Sequence, residues 1–112
     1  MVDLPVLITG AADVAANGYT ISGQSTTSAV RAAEGKITVK FDRNFDVFSG
    51  VTIAWNPSAV GATLVRAVVD TANIDLAAAG GSVVPLWFYD GSGLLDPDST
   101  VICCRFSFEI EV

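Results

Sequence analysis

The sequence contains no histidine. That absence removes the side chain that most often serves as general base, as metal ligand or as partner of a nucleophilic serine or cysteine. Most hydrolase arrangements fall with it. Cysteine is confined to the adjacent pair Cys103 and Cys104. Neighbours in a strand point to opposite faces, so an ordinary disulfide between them would require severe backbone distortion. The pair reads as two small buried apolar residues of a protein made in a reducing compartment. No apolar run approaches the roughly 20 residues of a membrane-spanning helix, and the N-terminal residues lack the charged start and cleavage site of a secretory signal. Synthesis in a cytoplasm and no membrane partner are expected. Asn56-Pro57-Ser58 carries proline at the position that blocks N-glycosylation.

Charge is scarce as well. Charged residues make up 16% of the chain, against about 25% in an average soluble domain. The six cations, Arg31, Lys36, Lys40, Arg43, Arg66 and Arg105, are scattered in a chain of net charge −6. No basic field exists to collect phosphates, so direct nucleic-acid binding is not expected. Hydrophobic residues reach 51%. A soluble chain with so few charges is expected to hide apolar surface in an oligomer or larger assembly.

What is present is strand pattern. Ile37, Val39 and Phe41 alternate with Lys36, Thr38, Lys40 and Asp42, the period-2 signature of a strand with one wet face. After Phe45 to Phe48 and a Ser49-Gly50 break, Val51, Ile53 and Trp55 alternate with Thr52, Ala54 and Asn56. Thr63 to Asp70 reads as extended, and Ile74 to Ala79 as either a helical turn or a short strand. From Ser82 to Tyr89, one face carries Val84, Leu86 and Phe88 and the other Val83, Pro85, Trp87 and Tyr89. Both faces are apolar, so the aromatic one needs a cover. Asp90-Gly91-Ser92-Gly93 signals a turn. Thr100 to Val112 reads as a long last strand with Ile102, Cys104, Phe106, Phe108, Ile110 and Val112 on one face.

Residues 1–35 differ. Leu4-Pro5-Val6-Leu7-Ile8 leads into a stretch of Ala, Gly, Ser and Thr, including a loop-like Gln24-Ser25-Thr26-Thr27-Ser28. Small side chains offer little area to bury, and Pro5 cannot donate to a ladder, which places it at a sheet edge or across a neighbouring subunit. The expected organisation is an extended arm over 1–35 and an antiparallel β core over 36–112. The fold class is all-β, a sandwich or barrel-like domain whose core holds Ile37, Val39, Phe41, Val51, Ile53, Phe106, Phe108 and Ile110.

Candidate chemistry is thin. Asp90, Asp96 and Asp98 form the one acidic cluster, but in turn sequence among Gly, Ser and Pro, where a catalytic acid would lack the burial that raises its pKa. Their spacing fits no calcium loop, and Gly91-Ser92-Gly93 lacks the later glycine and helix of a phosphate cradle. No cofactor and no enzymatic activity are expected. Trp55, Trp87 and Tyr89 suit either a sugar platform or a protein contact, and Trp55 suits core packing equally. The candidate interface comprises Leu4, Pro5, Val6, Leu7 and Ile8 with Val83, Trp87 and Tyr89.

The short apolar N-terminal stretch, the small-residue lead, the compact β core and the lack of catalytic groups together resemble the small accessory virion proteins of tailed bacteriophages, above all head decoration (cement) proteins. That resemblance implies a structural protein on the capsid surface, synthesised in the host cytoplasm, that stabilises the head by binding across major capsid protein subunits, often as a homotrimer. Leu4 to Ile8 would be its hooks. The run from Ile37 to Trp55, with the late strand and the Asp90 turn, is also similar to receptor- or glycan-binding tips of phage tail fibres, the alternative role.

Overall fold

The computed structural model describes residues 2–56, 66–90 and 93–109. In chain order the strands are β1 (Val2–Gly10), β2 (Tyr19–Gly23), β3 (Thr26–Ala33), β4 (Lys36–Phe41), β5 (Val47–Asn56), β6 (Arg66–Val69), β7 (Val83–Asp90), β8 (Gly93–Leu94) and β9 (Val101–Glu109). One helical turn, α1 (Val14–Asn17), lies between β1 and β2, and a 3-10 turn at Thr71–Asn73 follows β6. Every pairing among the described strands is antiparallel. The first sheet has the order β2-β1-β9-β5, and the second β3-β4-β7-β6 with β8 added to β7.

Period-2 alternation decides which side chains meet between the sheets. Ile37, Val39 and Phe41 of β4, Val84, Leu86 and Phe88 of β7, and Ile102, Phe106 and Phe108 of β9 are fully buried. Phe41 stands edge-on to Phe45, Phe106 and Phe108 with ring centroids 5.8, 5.2 and 5.0 Å away, and Phe45 stacks on Phe108 at 4.1 Å. Such offset and edge-to-face contacts suit the ring quadrupoles. Val51 and Ile53 of β5 pack against this core while half-buried; Ile110 lies outside the described residues. The chain is the all-β sandwich that its alternation predicts.

The N-terminal third corrects the sequence reading. β1 pairs with β9 from Val2↔Phe108 to Thr9↔Val101 and with β2 from Val6↔Gly23 to Gly10↔Tyr19, so it is an inner strand. Leu4, Val6 and Ile8 are 4%, 4% and 0% exposed and belong to the main core. Residues 1–35 are therefore no arm, and the boundary at 35/36 falls inside the β3–β4 hairpin, whose turn is Glu34-Gly35. The reason is that Leu7, also apolar, points outward and hides the alternation of Leu4, Val6 and Ile8. The expected loop over Gln24 to Ser28 shrinks to Gln24 and Ser25, because Thr26 already pairs with Phe41. Ile74 to Ala79 forms neither helix nor strand: a single bridge, Asp75↔Val83, ties it to β7.

Both strand prolines sit in inner strands, one residue past the end of a shorter neighbour. Pro5 lies beyond the last β1–β2 pair, Val6↔Gly23, and Pro85 beyond the last β6–β7 pair, Val69↔Leu86. At Pro5 the missing N–H has no β2 pair to serve; at Pro85 the chain after β6 still pairs, the Asp70 N–H donating to the Pro85 carbonyl at 3.0 Å, and one return bond is forgone at the end of that ladder.

Two glycines are required by the turns. Gly35 (φ +70) donates its N–H to Asp96 Oδ1 at 3.0 Å, and Gly81 (φ +144) packs so close that a Cβ would run into the Phe41 carbonyl. The fully buried Ser82 beside it donates to the Leu76 carbonyl at 2.7 Å and accepts from the Phe45 N–H at 2.9 Å. Asn44 Nδ2 donates to the Leu76 and Ala78 carbonyls at 2.7 and 3.0 Å, so the long loop before β7 is fastened to the segment after β4.

Candidate protein-binding surface

The β2–β3 turn carries the chain from one sheet to the other and closes that side of the sandwich, with Asp42 N–H donating to the Ser25 carbonyl at 2.7 Å. On the opposite side β5 and β6 face each other across a cleft of about 620 Å³ lined by Phe48, Val51, Ile53, Ala67 and Val69. Each sheet also has an outer face, and the residues singled out from sequence divide among these surfaces and the core.

Val83, Pro85, Trp87 and Tyr89 all point outward from β7 and are half-buried by their cross-strand neighbours. One row across the sheet runs Val30, Thr38 and Pro85; the next Lys36, Trp87 and Val68; the next Tyr89 between Arg66 and Leu94. Val30, Val68 and Leu94 are 57%, 42% and 38% exposed. The Lys36 Nζ sits 4.5 Å from the centroid of the half-buried Trp87 ring, a cation–π contact over the indole face. Val30 and Val68 extend the patch beyond the three residues read from sequence. Their signal was weak, because Val30 lies among small residues and the alternation of β6 covers four positions.

The other candidates separate. Leu4, Val6 and Ile8 are core residues and offer nothing to a partner. Pro5 and the 40% exposed Leu7 point from the outer face of the first sheet. With Ser22, Thr52, Ala54, Cys103 and Arg105 they line a shallow concavity of about 510 Å³. Cys103 is exposed in it, whereas Cys104 is buried and its thiol is pushed up to about 12, first by burial and then by Cys103. The expectation that both are buried holds for Cys104 alone. The side chain of Trp55 lies outside the described residues.

The acidic cluster is built into the loop before β9. Asp96 accepts a fork of two bonds from Arg31, Nε to Oδ1 and Nη2 to Oδ2, each 3.0 Å, together with the Gly35 N–H. Arg31 first and Gly35 second hold the Asp96 carboxyl below the usual carboxylate range against its partial burial. The same pairing raises Arg31. Asp98 Oδ1 accepts the Val14 N–H at 2.9 Å, tying the loop to α1. Burial and then Asp96 push the nearby Tyr19 phenol upward. These carboxylates act as loop fasteners. Among the described residues no three His, Cys, Asp or Glu side chains come together as a metal site; the Asp90 side chain and the Gly91-Ser92 part of its turn lie outside them.

Comparison with protein-family models, with curated proteins and with solved structures finds no match for this chain.

Proposed function

We propose that this chain is a structural protein that works by binding other protein chains, and that its role is that of a head decoration protein of a tailed bacteriophage, laid across capsid subunits. The observation that supports this reading is the outer face of the second sheet. Val30, Val68, Val83, Pro85, Trp87 and Tyr89 lie side by side there, with the cations Lys36 and Arg66 among them. A Trp and a Tyr surrounded by aliphatic contacts have the composition of a protein hot spot. Burying that face over several capsid subunits at once raises the cost of detaching any one of them. The hooks expected from Leu4 to Ile8 drop out of the mechanism, because β1 is committed to the core.

The receptor- or glycan-binding tip is less well supported, because sugar stacking needs an open aromatic face and Lys36 lies over Trp87. The deciding experiment is location in the purified particle combined with a shell-binding assay. Density repeated over the head lattice, and loss of shell binding on Trp87→Ala with the β spectrum retained, are the expected results. Density confined to the tail end defeats the decoration reading.

A further inference from the structure

Among the described residues the two sheets have four edge strands, β2 and β5 in the first, β3 and β6 in the second. Unpaired edges invite pairing with another chain, and natural sheets guard them with short length, charge, proline, bulges or a cover. Three of the four are guarded. β2 has five residues and turns directly into β3; β3 carries Arg31 and two register shifts; β6 has four residues, starts at Arg66 and is followed by Asp70. β5 is different. It has ten residues and one register shift near Ser49, after which Val51-Thr52-Ile53-Ala54-Trp55-Asn56 contains no charge, no proline and no glycine. β-branched and aromatic residues there favour extended pairing. Among the described residues only β9 pairs with it.

We propose that β5 is a self-association edge: it pairs antiparallel with β5 of a second copy about a two-fold axis, joining the two four-stranded sheets into one. A second copy is the occupant that fits, for three reasons. An antiparallel edge is self-complementary, because the same row of N–H and C=O groups supplies donors and acceptors to both partners. With no charged residue in β5, self-pairing brings no like charges face to face across the new ladder; Arg105 lies one strand inward opposite Thr52. Val51 and Ile53, which pack against the core yet remain half-buried beside the open cleft, would be covered by the partner. A six-residue overlap is about 20 Å long. That contact is smaller than a standard interface of about 800 Å² per partner, so the association is expected to be reversible and in the micromolar range.

The inference rests on the edge alone and stands or falls independently of any role on a phage head. The test uses the whole chain, with mass measured by light scattering across a dilution series and amide hydrogen exchange followed at each concentration. The expected result is a monomer–dimer equilibrium in which Val51 to Ala54 become protected as concentration rises. Placing the edge guard that β5 lacks, as Thr52→Lys with Ala54→Lys at two exposed positions, is expected to weaken dimerisation at least about tenfold with the β spectrum unchanged. A monomer at every concentration overturns the proposal. So does an oligomer whose protection falls on β7, or on Leu7 and Ser22 across the outer concavity, with the β5 amides left unprotected. If the lysine variant fails to fold, the exchange pattern of the unaltered chain decides.

Discussion

Asp96 shows what a single residue does here. Its carboxylate collects three hydrogen bonds from Arg31 and Gly35, fastening the last loop to the β3–β4 hairpin. Because the folded pKa lies below the unfolded value near 3.9, the stabilisation is complete above that value and is lost as pH falls through the lowered folded pKa. Urea midpoints measured from neutral to acid pH are expected to fall over that window, and Asp96→Asn is expected to remove most of this part of the fall. At neutral pH Asp96→Ala is expected to cost about 1–3 kcal/mol, discounted for partial exposure from the worth of charge-assisted bonds. An unchanged acid limb in the Asn variant would contradict the assignment. The two thiols offer a simpler check: a thiol reagent is expected to titrate Cys103 in the folded chain and Cys104 only after unfolding, since one is exposed and the other buried with a raised pKa. The sequence shows Asp96 and Asp98 as turn residues among Gly, Ser and Pro. It does not show Arg31, because that partner lies 65 positions away and only the folded sheets bring the two together.

At the scale of elements, legibility follows side-chain size. β4, β7 and β9 alternate large apolar residues with polar or differently placed ones, so their inner faces are readable and are found buried. β1 hides its alternation behind Leu7 and Pro5. β2 and β3 are built from Thr, Ser, Ala and Gly, whose small areas give period-2 analysis little contrast, yet Ala29 is buried and Tyr19 and Ile21 pack on the core. Hence the sheet between the candidate interface and the core could be read, while the supposed hooks were misplaced. The consequence for β1 is testable. Deleting residues 1–18 removes an inner strand and the completely buried Ile8, so the truncated chain is expected not to fold, judged by loss of its β spectrum. Ile8→Ala alone is expected to lower stability by about 2–5 kcal/mol, the usual cost of a large-to-small change in a packed core. A truncated chain that keeps a cooperative transition would restore the arm.

At the scale of the whole molecule, the two sheets cannot be separated, because one cluster of buried residues takes Leu4, Val6, Ile8, Ile102 and Phe106 from the first and Ile37, Val39, Phe41, Val84, Leu86 and Phe88 from the second. Neither sheet has another apolar layer among the described residues to cover its inner face. Each backbone therefore depends on burial supplied by the other, and partial unfolding of one would expose Phe41 or Phe106 to water at a cost of several kcal/mol. The outer-face side chains Thr38, Pro85, Trp87 and Arg105 lie outside that cluster and contribute little to holding the fold. Denaturation is therefore expected to be a single two-state transition, with tryptophan fluorescence, far-ultraviolet circular dichroism and exchange of the β1 and β9 amides sharing one midpoint. Trp87→Ala, which empties part of an outer face, is expected to shift that midpoint much less than Phe106→Ala, which opens a cavity between the sheets. Separate midpoints for β9 and β7 amides would show that the sheets fold independently, and the single-core account would then be wrong.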